Sequence, residues 1–206
     1  MRRVCVVGAG VIGSLYAGHL ASVADVSVLT RRREQAEALE RDGLRITGKS
    51  DVHARVVASA DPDRIPEFDL GIVATKATQL EEAASRLAGH SPGATVMTIQ
   101  NGLGAEEIVG RYGAWPLVSA VTFMSGARRS DTHVEYELDT PTWMGPYAGT
   151  ATPFALVEEA HDLLVRAGLR AEAFRDLLPA QWSKLVFNAT VNTVAASGTT
   201  ETLDLG

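Results

Sequence analysis

The chain has 206 residues, 46% of them hydrophobic and 21% charged, with 19 glycines and 8 prolines. That length holds one full α/β domain plus a short second element, and that composition excludes disordered, collagen-like and fibrous chains. A formal net charge of −6 excludes whole-molecule attraction to nucleic acid or to an anionic membrane, so any anion site has to be built locally.

In chain order, Val4-Cys5-Val6-Val7 is a continuous apolar run ending at Gly8 and reads as a parallel strand buried on both faces. Cys5, the only cysteine, cannot form an internal disulfide and reads as a small buried hydrophobe in a reducing, cytoplasmic setting. Met1-Arg2-Arg3 before apolar residues imitates a signal peptide, but glycines break the run and no cleavage site follows. No stretch approaches the roughly 18 apolar residues of a membrane span, and no membrane partner is expected.

Gly8-Ala9-Gly10-Val11-Ile12-Gly13 then opens a small-residue helix over residues 14–21, and Val26-Ser27-Val28-Leu29-Thr30 completes a strand, helix, strand unit of about 30 residues. Such crossovers are right-handed and covered by helices, so a parallel sheet follows. Residues 32–41 read as an amphipathic helix with Ala36 and Leu39 inward, Ala38 a further candidate, capped by Asp42-Gly43. Residues 44–47 and 54–57 alternate around Gly48-Lys49-Ser50-Asp51 and predict an antiparallel hairpin. Strands resume over 70–74, 95–99 and 117–122. Their ends, Thr75-Lys76, Gln100-Asn101-Gly102 and Phe123-Met124, are expected along the carboxyl edge, where open α/β sheets bind ligands. Short strands near 133–138 and 142–145, a helix over about 152–167, a brief strand over 169–174 and a helix over about 179–196 complete the reading. Arg175-Asp176-Leu177-Leu178-Pro179 is the nearest thing to a boundary, with a proline suited to a helix first turn.

The glycine pattern is weak evidence by itself, but here it follows a strand, opens a helix and sits in a complete unit. Gly8 permits the tight turn, Gly10 lets a pyrophosphate approach the backbone beside Val11 and Ile12, and Gly13 lets helix and strand pack closely. A close-packed turn without ligand is the bland alternative. At the end of the second strand, where NAD-binding domains place Asp or Glu on the ribose, this chain has Thr30-Arg31-Arg32-Arg33. Guanidinium groups there favour the 2′-phosphate of NADP(H), with Arg31 the candidate ligand. The alternative is that some of the three simply open the next helix.

On the last helix Lys184, Asn188 and Asn192 stand at i, i+4 and i+8, drifting about 40° per step, and form one polar line on an otherwise apolar segment. Asn has little to offer an exposed helical face, so the line is expected to face a hydrated cleft. A polar stripe without chemistry is the competing reading. As chemistry the set suits carbonyl reduction: an ammonium stabilises and protonates the developing alkoxide while amides hold hydroxyl and carboxylate groups. Lys184 is the candidate acid. The five histidines, His19, His53, His90, His133 and His161, show none of the short spacings of a metal site, and no metal is expected. No hydrolase nucleophile elbow is present.

Together these residues resemble the ketopantoate reductases (2-dehydropantoate 2-reductases), which use NADPH to reduce 2-dehydropantoate to pantoate on the route to pantothenate. The resemblance rests on Gly8, Gly10 and Gly13; on Arg31 in Val28-Leu29-Thr30-Arg31; on Thr75-Lys76-Ala77; on Gln100-Asn101-Gly102-Leu103-Gly104; and most specifically on Trp182-Ser183-Lys184-Leu185 followed by Asn188 and Asn192. It implies Lys184 as catalytic acid, Asn188 and Asn192 on substrate, and Lys76 and Asn101 near the nicotinamide and the substrate carboxylate. Without it, Lys76 reads as a surface lysine and Asn101-Gly102 as an ordinary turn. The implied fold is α/β, a Rossmann-type doubly wound parallel sheet over residues 1–175, with 176–206 opening an all-α substrate and dimerisation domain. Family members continue for roughly another hundred helical residues, the scale of an ordinary second domain, which carry part of the substrate pocket.

The expectation is therefore an NADP(H)-dependent reductase of a small 2-keto acid, 2-dehydropantoate first among them. A different 2-keto acid and a catalytically silent NADP(H)-binding module are the alternatives. A partner chain, as in a homo-oligomer, is expected to cover the apolar flank of the last helix.

Overall fold

In the computed structural model the described residues are 2–196 for the backbone and 2–191 for side chains. β1 (Arg3–Val7), α1 (Val11–Leu20) and β2 (Asp25–Leu29) form the first unit, its strands parallel with Arg3 opposite Asp25 and Val7 opposite Leu29. Then come α2 (Arg33–Asp42), β3 (Leu44–Gly48), β4 (Val52–Ala54), β5 (Val57–Ser59), β6 (Leu70–Val73), α3 (Leu80–Leu87), β7 (Thr95–Thr98), α4 (Ala105–Gly110) and β8 (Leu117–Thr122). The remainder is β9 (Ser125–Arg128), β10 (His133–Leu138), β11 (Thr142–Pro146), α5 (Phe154–Arg166), β12 (Ala171–Ala173) and α6 (Leu178–Ala196). No helix among the described residues is long and apolar enough to cross a membrane.

The main sheet has the order β12-β11-β8-β7-β6-β1-β2-β5. From β5 to β8 every pairing is parallel, and the winding reverses between β1 and β6, which is the doubly wound Rossmann order. The sheet is not parallel throughout: β11 runs antiparallel to β8, and β12 is parallel to β11. The chain between β8 and β11 makes an excursion through two other strands in place of a helical crossover, so it returns in the opposite direction. Strand alternation divides the core. Val4 and Val6 pack with Leu15 and Leu20 on one face, while Cys5 and Val7 pack with Leu80, Ala84 and Leu87 on the other. Each fully buried leucine contributes roughly 1.5–3 kcal/mol.

A second sheet, β4-β3-β10-β9, lies over the outer side of α1. It explains the composition of that helix. Residues 13–20 are all buried, and a Cβ on Gly18 would stand 2.5 Å from Ile46 Cδ1 of β3. A helix covered on both sides has no polar face to keep.

The expected hairpin needs correction. β3 and β4 do pair antiparallel, Leu44 opposite Ala54, but β4 stops at Ala54, and Val57–Ser59 leaves as β5 to pair in parallel with β2 in the main sheet. The alternation of residues 54–57 is thus divided between two sheets. The strand expected over 169–174 is shorter, Ala171–Ala173, and β9 was not anticipated.

Candidate active site

The carboxyl ends of β1, β6, β7 and β8 meet the start of α1 and the middle of α6, and two adjoining cavities lie there. One, of about 280 Å³, is lined by Gly8, Gly10, Arg31, Arg32, Gln35 and Lys76, among others. The other, of about 620 Å³, is lined by Val11, Ile12, Asn101, Phe123, Lys184 and Asn188, among others. Gly10, Ala74, Thr75 and Lys76 line both, so the cavities form one trough along the sheet edge.

The glycine turn is built for close approach. Gly8 has φ +103°, and a Cβ on Gly13 would lie 1.9 Å from the Gly8 carbonyl oxygen, so no other residue fits at position 13. Above Gly10 nothing lies within 4 Å of the corresponding position. That open space adjoins the amino terminus of α1, whose first turn carries no acidic residue and whose peptide dipoles favour an anion. The buried Gln35 side chain donates to the Ala9 carbonyl at 2.9 Å and fixes the loop from behind.

Two buried polar atoms in the trough, Thr75 Oγ1 and Gln100 Oε1, have no partner among the described residues. The Gln100 amide nitrogen is spent on the Val73 and Thr75 carbonyls, at 2.9 and 3.2 Å, which aims its oxygen elsewhere. Unpaired buried acceptors are costly, and their position at the strand ends suits a polar ligand. With the open cradle over Gly10 they make the residues present a good fit to a dinucleotide.

Lys184 reaches this edge from α6. It is 8% exposed, its Nζ donates to the Thr122 carbonyl, and the ammonium stands 5.1 Å from the centre of the Phe123 ring. Burial pulls its pKa down to about 8, and no salt bridge among the described residues opposes that shift. Phe123 is held edge-on by Trp143 at 6.1 Å and by Phe187 of α6 at 5.5 Å. A second tie joins α6 to the sheet: the Gln181 amide approaches Glu106 Oε1 at 3.5 Å, and Thr98 donates to the same oxygen at 3.0 Å.

Of the residues singled out by sequence, the structure brings Gly10, Val11, Ile12, Lys76, Asn101, Lys184 and Asn188 to the larger cavity, and Gly8 and Arg31 to the smaller. Gly13 lines neither and acts through packing. The Asn192 side chain lies outside the described residues. The three arginines differ. Arg31 is exposed into the cavity, Arg32 is ion-paired to Asp131, and Arg33 opens α2. Sequence reasoning missed Phe123 as a support for Lys184, and Gln35, Glu106 and Gln181 altogether. Only Gln181 carried a signal, since it precedes Lys184 by three and Asn188 by seven on the same helical face.

A sequence-family model described as ketopantoate reductase PanE/ApbA matches residues 4–149. The chain belongs to that family. Among relatives within the ketopantoate reductase family, the 2-dehydropantoate 2-reductase of Archaeoglobus fulgidus is 35% identical over 198 residues, 95% of this chain and 64% of the relative. The crystal structure of the 2-dehydropantoate 2-reductase of Geobacter metallireducens superposes with a TM-score of 0.85 at 28% identity, over 94% of this chain and 65% of that one. The fold is shared with D-mandelate dehydrogenase, solved with NADH and anilino(oxo)acetate, at a TM-score of 0.84, 20% identity, and coverage of 93% and 63%. The chain thus spans a little under two thirds of the length of these relatives.

Proposed function

We propose that this chain forms the nucleotide-binding and proton-donating part of an NADPH-dependent reductase of a 2-keto acid, with 2-dehydropantoate, named for its relatives, as first candidate substrate. The observation that carries the reading is the placement of a buried, carboxylate-free lysine at the end of the trough that begins over Gly10. In this reading Gly8, Gly10 and the start of α1 hold the pyrophosphate, and Arg31 meets the 2′-phosphate. Lys76, which lines both cavities, and Asn101, on the larger, lie near the nicotinamide and the substrate carboxylate. Residues from 176 on open the substrate-side helical domain.

Bound NADPH would supply the hydride. The residues of the chain supply the rest. Lys184 Nζ, fixed by the Thr122 carbonyl and the Phe123 face, holds a proton where a substrate oxygen gains negative charge. A pKa near 8 keeps that group charged at neutral pH yet makes it a readier donor than an ordinary lysine. The Asn188 amide, one helical turn on, offers a donor and an acceptor to the substrate's carboxylate and hydroxyl. Val11, Ile12 and Phe123 wall the cavity with apolar surface that limits water.

The test is NADPH oxidation by the full chain with 2-dehydropantoate, beside an NADPH-binding titration of the same sample. Turnover that disappears in Lys184→Ala supports the reading. Binding without turnover would favour the second reading, a nucleotide-binding module.

A further inference from the structure

β9 brings a charged group to the nucleotide end of the trough. Gly126 lies so close to the glycine loop that a Cβ there would stand 3.0 Å from Val11 Cγ1. Arg128, two residues on and therefore on the same side of the strand, lines the smaller cavity together with Gly8, Gly10, Arg31 and Arg32. Asp131 holds its guanidinium at 2.5 Å and takes Arg32 through the same oxygen, Oδ1. The Asp131 carbonyl accepts from Gln35 at 3.1 Å, and Gln35 also donates to the Ala9 carbonyl, so the turn after β9 is stitched to the glycine loop.

Ion pairs this open to solvent add little stability, about 0–1 kcal/mol each, so folding does not account for the arrangement. Their effect is orientation: Asp131 fixes two long side chains in advance and spares a ligand the cost of ordering them. Asp131 pairs with Arg32 and Arg128, and Arg31 lines the same cavity as both; three guanidiniums set against that one carboxylate leave a positive surplus that suits a phosphate dianion.

We propose that Arg128 is a specificity-determining residue that grips the 2′-phosphate of NADPH from the second sheet, paired with Arg32 through Asp131 and completing a site begun by Arg31. The proposal rests on the NADPH reading above. It makes the small sheet part of the cofactor site, and it makes Asp131 a positioning residue despite its negative charge.

NADPH and NADH are titrated into the wild-type chain and into Arg128→Ala, Arg128→Lys, Asp131→Asn and Arg31→Ala. Arg128→Ala is expected to weaken NADPH about tenfold or more while moving NADH less than about twofold, with Arg128→Lys intermediate. Asp131→Asn is expected to weaken NADPH as well, although it removes a negative charge; tighter binding would overturn the positioning role. Equal losses for both nucleotides in Arg128→Ala would overturn the assignment, because they point to the shared pyrophosphate. No change in that variant, with wild type preferring NADPH and Arg31→Ala losing the preference, would overturn the Arg128 assignment alone. A wild-type chain that prefers NADH would sink the NADPH reading itself.

Discussion

At residue scale the informative group is Lys184, because a buried ammonium without a carboxylate costs stability. Lys184→Ala should lower turnover by about 10²–10⁴-fold while leaving NADPH affinity within about twofold, as steady-state rates and titration will show. In the role proposed for Lys184 reduction requires its protonated form, so the rate should fall as pH rises through about 8. Oxidation of the product alcohol, which requires the free amine, should rise over the same range. The stability effect has the same origin. An unfolded lysine keeps its proton to higher pH than the folded Lys184, so stability climbs with pH above about 8, and the penalty is complete below it. Lys184→Met should therefore raise Tm by several degrees near pH 7, with the gain shrinking toward pH 10 in thermal melts.

At the scale of elements, α1 joins the two sheets, and its small residues are what allow this. Gly18→Val would force methyl groups into Ile46 and should cost about 1–3 kcal/mol in urea unfolding, with m unchanged. The β1-α1-β2 unit was legible because its signals are local: an apolar run, three spaced glycines and a second run. The Lys184 and Asn188 stripe was legible for the same reason. β9 was not, since Ser125-Gly126-Ala127-Arg128 has no apolar alternation and owes its extended form to pairing with β10 and contact with Val11. Even so, the absence of a polar face on α1 was a readable sign of a second cover. Glu106 was invisible because a carboxylate in a helix first turn reads as surface, and only the fold reveals its Thr98 and Gln181 partners. That Arg32 is ion-paired could not be read locally either, because its partner Asp131 lies 99 residues downstream.

At the scale of the whole molecule, net charge and local charge oppose one another. The chain carries −6, yet Arg31, Arg32, Lys76, Arg86 and Arg128 line the smaller cavity against Glu82 alone among its lining acids. Long-range repulsion should be screened by salt along with the local attraction, and in the NADPH reading the local term should dominate, because the phosphates would sit within a Debye length of the arginines, about 8–10 Å. Raising KCl from about 50 to about 300 mM should weaken NADPH several-fold in an equilibrium titration, and NADH less.

The three tryptophans occupy three different settings. Trp115 is sealed in the core with its indole N–H on the Ser91 carbonyl, Trp182 is 52% exposed on α6, and Trp143 stands edge-on to the Phe123 ring that walls the larger cavity. The emission spectrum is therefore a composite of a blue-shifted, a red-shifted and a site-adjacent fluorophore. Since reduced nicotinamide absorbs where indole emits, Trp143 is placed to lose light by resonance energy transfer when the trough fills. In the NADPH reading, loss of indole emission is thus an optical gauge of cofactor occupancy, and replacing Trp143 with Phe should shrink the amplitude of that loss.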